Sequence, residues 1–82
     1  MDRKIVVGGF YRHFKGFLAH VLYIARHTET GEKLVIYACT GGHSNDMDGI
    51  YARPLEMFMS EVDREKYPDV KQKYRFEYIQ PN

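Results

Sequence analysis

Basic and imidazole side chains gather at a few points of this sequence. Arg12, His13 and Lys15 precede Gly16; Arg26 and His27 stand together; Arg53 leads into Pro54. A fold that brings these points together makes a cationic pocket for a carboxylate or a phosphate. Arg53 would grip such a group through its planar fork of donors. A helix starting at Pro54 would add a favourable dipole at its N-terminus. The plainer alternative pairs Arg53 with Glu29 or Glu56 and leaves Lys15 as a solvated turn residue.

A second candidate is His27-Thr28-Glu29-Thr30. A histidine beside a glutamate suits acid–base work, because imidazole titrates near neutral pH. Neighbours on a strand point to opposite faces, so His27 would need a distant partner. The structural alternative has the Thr28 and Thr30 hydroxyls satisfying turn backbone, with Glu29 at a hairpin tip. Metal ligands are present as types: His13, His20, His27, His43, Cys39, Asp46 and Asp48. None falls into a recurring ligand spacing such as HxxxH, HExxH or CxxC. Asn45, Asp46, Asp48 and Gly49 faintly resemble a calcium loop but lack its closing glutamate. No cofactor is therefore expected. Cys39 follows an apolar run and reads as a small buried hydrophobe. The aromatics, seven Tyr and five Phe, would suit single-stranded nucleic acid if stacked on an exposed face. Core is the favoured reading, because a small domain needs the area they bury.

The elements that position these groups are punctuated by glycine. Residues 17–27 and 33–39 are rich in Val, Ile, Leu and aromatics, and Thr28-Glu29-Thr30-Gly31 lies near their junction. That pattern predicts a hairpin, with Gly31 supplying a positive φ. Phe17, Val21 and Tyr23 are expected on one face of the first strand, and Leu18, Leu22 and Ile24 on the other. Apolar residues on both faces imply a sandwiched strand or a strongly curved small barrel. Segment 40–49 reads as an exposed, mobile loop. A leading strand is expected over about 5–11 and a short strand over 50–53. A short helix over 55–62 has Leu55, Phe58 and Val62 inward. Asp63 is placed to cap a further turn over 64–67. A closing strand over 74–79 alternates, with Tyr74, Phe76 and Tyr78 on one face and Arg75, Glu77 and Ile79 on the other.

Length and charge narrow the function classes. The 82 residues, 44% apolar and 28% charged, make one domain, 1–82. Twelve Lys and Arg against eleven Asp and Glu leave a net charge of +1. Non-specific binding to a nucleic-acid backbone wants a basic excess, so nucleic acid is the less favoured partner. The single cysteine forbids an intrachain disulfide and suits a reducing cytoplasm. No apolar run reaches the ~18 residues of a membrane span, and MDRKIVVGGF holds no signal-peptide core.

Several stretches together are distinctive: Tyr11-Arg12-His13-Phe14-Lys15-Gly16, His27-Thr28-Glu29-Thr30, Arg53-Pro54-Leu55 with Met57-Phe58, and Arg75-Phe76. The chain resembles a widespread bacterial family of small single-domain proteins of unknown function, with the same YRHFKG, HTET and RPLxMF sequences, over about residues 8–79. The chain departs from that family's pattern in its loop over Cys39–Gly49, which is longer than the family's, and at Tyr51, which stands where the family has a tryptophan. It implies a fold and a compartment, and no mechanism. The reading is a mainly β domain, a small SH3-like barrel of about five strands with one short helix. Its leading function is a non-catalytic binding module for a small anion, a peptide or a nucleic-acid element, held by His13, Lys15, His27, Glu29 and Arg53. One alternative is a small hydrolase-like enzyme using a His/Glu pair. Another is an assembly role as a homodimer, since Met57 and Met59 fall on different sides of the short helix.

Overall fold

The computed structural model describes residues 4–40 and 49–81. Five strands and one helical turn form: β1 (Phe10–His13), β2 (Leu18–Arg26), β3 (Lys33–Thr40), β4 (Gly49–Pro54), α1 (Leu55–Phe58) and β5 (Phe76–Ile79). They make one antiparallel sheet in the order β4-β3-β2-β1-β5. The sheet is mainly β as expected, but it is not closed into a barrel. Closure would pair β4 with β5, and these are instead the two edges. The inner face is covered by α1 and by the chain that follows it. The mobile loop expected over 40–49, with His43, Asp46 and Asp48, lies outside the described residues except at its ends, Thr40 and Gly49, which belong to strands.

The hairpin between β2 and β3 forms where the pattern put it. His27 N–H donates to Glu32 O at 2.8 Å, and Gly31 has φ +75°. The face assignment along β2 changes midway, however. Ala19 and Val21 point inward and are fully buried, then a bulge between Val21 and Tyr23 adds a residue. An extra residue reverses the parity of a strand. Tyr23 therefore turns outward, 69% exposed, and Ile24 packs against the core. Apolar residues at odd and even positions thus serve one inner face in two phases. That is why they mimicked a sandwiched strand.

Two other boundaries differ from expectation. The first strand begins at Phe10, because residues 6–9 form a turn closed by Gly9 N–H to Val6 O at 3.0 Å. The helix is a single turn rather than 55–62. After Met59 the chain leaves it to pair with the stretch before β5. Arg75 N–H donates to Ser60 O at 2.9 Å, Val62 N–H donates to Lys73 O at 2.9 Å, and Glu61 bridges Tyr74. Asp63 does cap the next turn, accepting from the Glu65 and Lys66 N–H groups. A one-turn helix has almost no macrodipole, so Pro54 brings no anion site of that kind.

The core is an aromatic stack on the inner face. Phe58 and Phe76 lie parallel with centroids 4.0 Å apart, and Tyr11 and Tyr37 meet Phe58 edge-on at 5.3 and 5.4 Å. Burying each such ring is worth about 1.5–3 kcal/mol, and a good ring pair adds about 0.5–1.5 kcal/mol. Met59 packs on this core, and Met57 is 46% exposed. Among the described residues no helix is long and apolar enough to cross a membrane.

Candidate functional site: a cationic cleft with aromatic walls

Alternation along β1 puts Tyr11 and His13 inward and Phe10 and Arg12 outward. His13 ends the strand and is 5% exposed. Its ring stacks on Phe17 at 4.3 Å and Phe14 at 4.4 Å, and meets Phe76 edge-on at 4.8 Å. Its Nδ1 accepts the Lys15 N–H at 3.1 Å. The neutral imidazole then carries its proton on Nε2. Burial pushes the His13 pKa down to about 4, and the charges of Arg53, Arg75 and Lys15 push the same way. At neutral pH His13 is an uncharged donor and not a cation.

The same three cations line a cleft of about 340 Å³ together with His13, Phe14, Phe17, Tyr37, Cys39, Tyr51 and Tyr67. Register explains the grouping. Tyr37 on β3 faces Tyr51 on β4, and Val35 faces Arg53. Side chains two apart share a face, so Tyr37, Cys39, Tyr51 and Arg53 all project from the inner side. Arg53 is half-buried; its Nε donates to the Tyr37 hydroxyl at 3.2 Å, and its guanidinium lies 5.6 Å above the Phe76 ring. No carboxylate among the described residues pairs with it, neither Glu29 nor Glu56. Arg75 comes from the strand-like stretch paired with Ser60, and its Nε reaches Ser60 Oγ at 3.4 Å. The Lys15 ammonium lies 5.3 Å from the Tyr67 ring centroid, and Tyr67 packs on Phe14 at 4.9 Å. Cys39 forms part of the wall. Burial raises its thiol pKa, partly offset by Arg53, so it is a poor nucleophile.

Of the five residues singled out from sequence, His13, Lys15 and Arg53 line this cleft. His27 and Glu29 do not. They belong to the β2–β3 turn, where His27 Nδ1 accepts the N–H groups of Glu29 at 3.0 Å and Thr30 at 3.3 Å. Glu29 thus meets His27 through its backbone, and the acid–base pair of side chains is not made. Arg26 is also spent on this turn, donating to Gly31 O at 2.7 Å. Among the described residues no group of three His, Cys, Asp or Glu side chains could hold a metal ion. Sequence reasoning missed Arg75, Phe14 and Tyr67 as cleft residues. Arg75 was expected on the wet face of a strand that in fact begins one residue later.

The chain is a small, mainly β domain: an open five-stranded antiparallel sheet with one helical turn, carrying a cationic cleft with aromatic walls. Residues 9–78 match a model for a protein family of unknown function, DUF1653, and the chain belongs to that family. It is similar to a crystal structure of a DUF1653 protein from Bordetella bronchiseptica, with 27% identity, a TM-score of 0.69, and coverage of 99% of this chain and 96% of that one. No curated protein matches it.

Proposed function

We propose that the protein is a cytoplasmic, non-catalytic binding module whose cleft takes a small anion. The observation that carries this reading is a charge imbalance. Lys15, Arg53 and Arg75 converge on one cleft, and among the described residues no carboxylate lines it. Like charges held together in a half-buried space destabilise the fold that holds them, and an anion relieves that cost. The Arg53 fork is the main grip. Its Nε is tied to Tyr37, which holds the guanidinium plane in place. His13 adds a neutral donor at one wall. His27 and Glu29 have no part in this reading.

The test is calorimetric titration with benzoate and inorganic phosphate at low ionic strength, where screening is weak. At least one of the two is expected to bind wild type. Arg53→Gln should weaken that binding tenfold or more, as a lost charge-assisted bond of about 1.5–3 kcal/mol implies. Absence of binding by both anions, or equal binding by the variant, overturns the reading.

A further inference from the structure

We propose that the cleft is built for an aromatic carboxylate: a flat ring held between the Phe14–Tyr67 and Tyr37–Tyr51 pairs, with its acid on Arg53. This deepens the anion reading and rests on it.

The walls carry the argument. Among the described lining residues five of ten are aromatic, Phe14, Phe17, Tyr37, Tyr51 and Tyr67. A bare anion needs cations and donors and has no use for ring faces. The two wall pairs come from opposite halves of the sheet. Tyr37 and Tyr51 sit on β3 and β4, while Phe14 follows β1, with β2 between them. Each pair is already assembled. The Phe14 and Tyr67 centroids are 4.9 Å apart, and those of Tyr37 and Tyr51 are 6.1 Å apart. Little side-chain order has to be gained on binding, which favours a rigid, flat ligand. Offset or edge-on contact with such faces is the preferred geometry for another ring.

Proximity of the charge to the wall sets the length of the ligand. Arg53 Nε is 3.2 Å from the Tyr37 hydroxyl, so the grip for the acid begins where the aromatic wall ends. The two terminal nitrogens of Arg53 make no hydrogen bond among the described residues. A planar fork with two adjacent donors matches a carboxylate edge. The ligand that fits carries its acid on the ring or one or two atoms away. A nucleotide, with a sugar between base and phosphate, separates the two features too far. Size agrees: about 340 Å³ is near the lower end of the ~300–1,000 Å³ of small-molecule sites.

The experiment titrates the full chain with benzoate, cyclohexanecarboxylate, acetate, phenyl phosphate and AMP under one buffer. The carboxylates share one charge and differ in the ring. Benzoate is expected to bind at least tenfold tighter than cyclohexanecarboxylate and acetate, and tighter than phenyl phosphate and AMP. Tyr67→Leu should weaken benzoate severalfold and leave acetate unchanged; its fold is checked by thermal melting. Equal affinity for benzoate and cyclohexanecarboxylate overturns the ring, and tighter AMP or phenyl phosphate overturns the carboxylate. In either case the anion reading survives. If none of the five binds and inorganic phosphate does not bind either, the anion reading itself falls. The wild-type comparison needs no variant, so it decides the matter even if Tyr67→Leu fails to fold.

Discussion

The β1–β2 turn and the β2–β3 turn use one device twice. In the first, His13 Nδ1 accepts the N–H of Lys15, two residues on, and Gly16 follows with φ +103°. In the second, His27 Nδ1 accepts the N–H of Glu29, again two residues on, and Gly31 follows with φ +75°. Locally each imidazole is a turn cap. Their surroundings differ completely. His13 is enclosed by three aromatic rings and faces three cations, while His27 is half-buried at a turn whose other residues are exposed. The comparison teaches that a histidine in a motif is not yet a site. What packs over the turn decides whether its imidazole becomes part of a cleft or only closes a loop.

The largest difference should appear with pH. His13 holds its proton less tightly folded, with a pKa near 4, than unfolded, at 6.5. The unfolded chain therefore takes up a proton first as pH falls. Stability from this group is intact above about pH 6.5 and is lost on the way down to about pH 4. Two to three pH units at ~1.4 kcal/mol each make about 3 kcal/mol. Urea unfolding from pH 7 to 4 reads this loss, since carboxylates elsewhere contribute equally to both proteins compared. His13→Gln should flatten the slope relative to wild type. An unchanged slope would mean that His13 is not shielded as the packing implies.

Truncation gives a smaller contrast. His13→Ala empties space among Phe14, Phe17 and Phe76, and should cost about 2–3 kcal/mol as a buried side chain leaving a cavity. His27→Ala loses mainly its hydrogen bonds to the turn, about 1 kcal/mol. Chemical denaturation at pH 7 separates the two. Equal losses would mean that the rings around His13 close over the gap.

Which parts of this were legible in the sequence follows from the range of each interaction. The β2–β3 turn was readable because a polar tip ending in Gly31 between two apolar runs is a local signal. His13, Lys15 and Arg53 were readable as a group because they cluster at strand ends. The barrel was misread because period-2 reasoning has no symbol for a bulge. One added residue at Leu22 makes one inner face look like two. The long helix was misread because residues 60–62 find better backbone partners at 73–75, thirteen or so residues away. That same pairing swings Arg75 into the cleft and brings the chain back past Tyr67. No spacing within either stretch encodes it, so those two cleft residues stayed hidden.

The smallest expected effect tests the shared device itself. A methyl group added at Gly16 or at Gly31 would meet nothing within 4 Å. Packing around the two positions thus drops out, and only the backbone conformation remains. An L-residue forced into the positive-φ region loses about 1–2 kcal/mol. Gly16→Ala and Gly31→Ala should therefore cost nearly the same, although one turn borders the cleft and the other does not. Thermal melts of the two variants make the comparison, and benzoate titration of Gly16→Ala adds to it. A much larger loss at Gly16 would show that the first turn is braced by the aromatic wall beside it, and that the cleft and its turn are one cooperative unit.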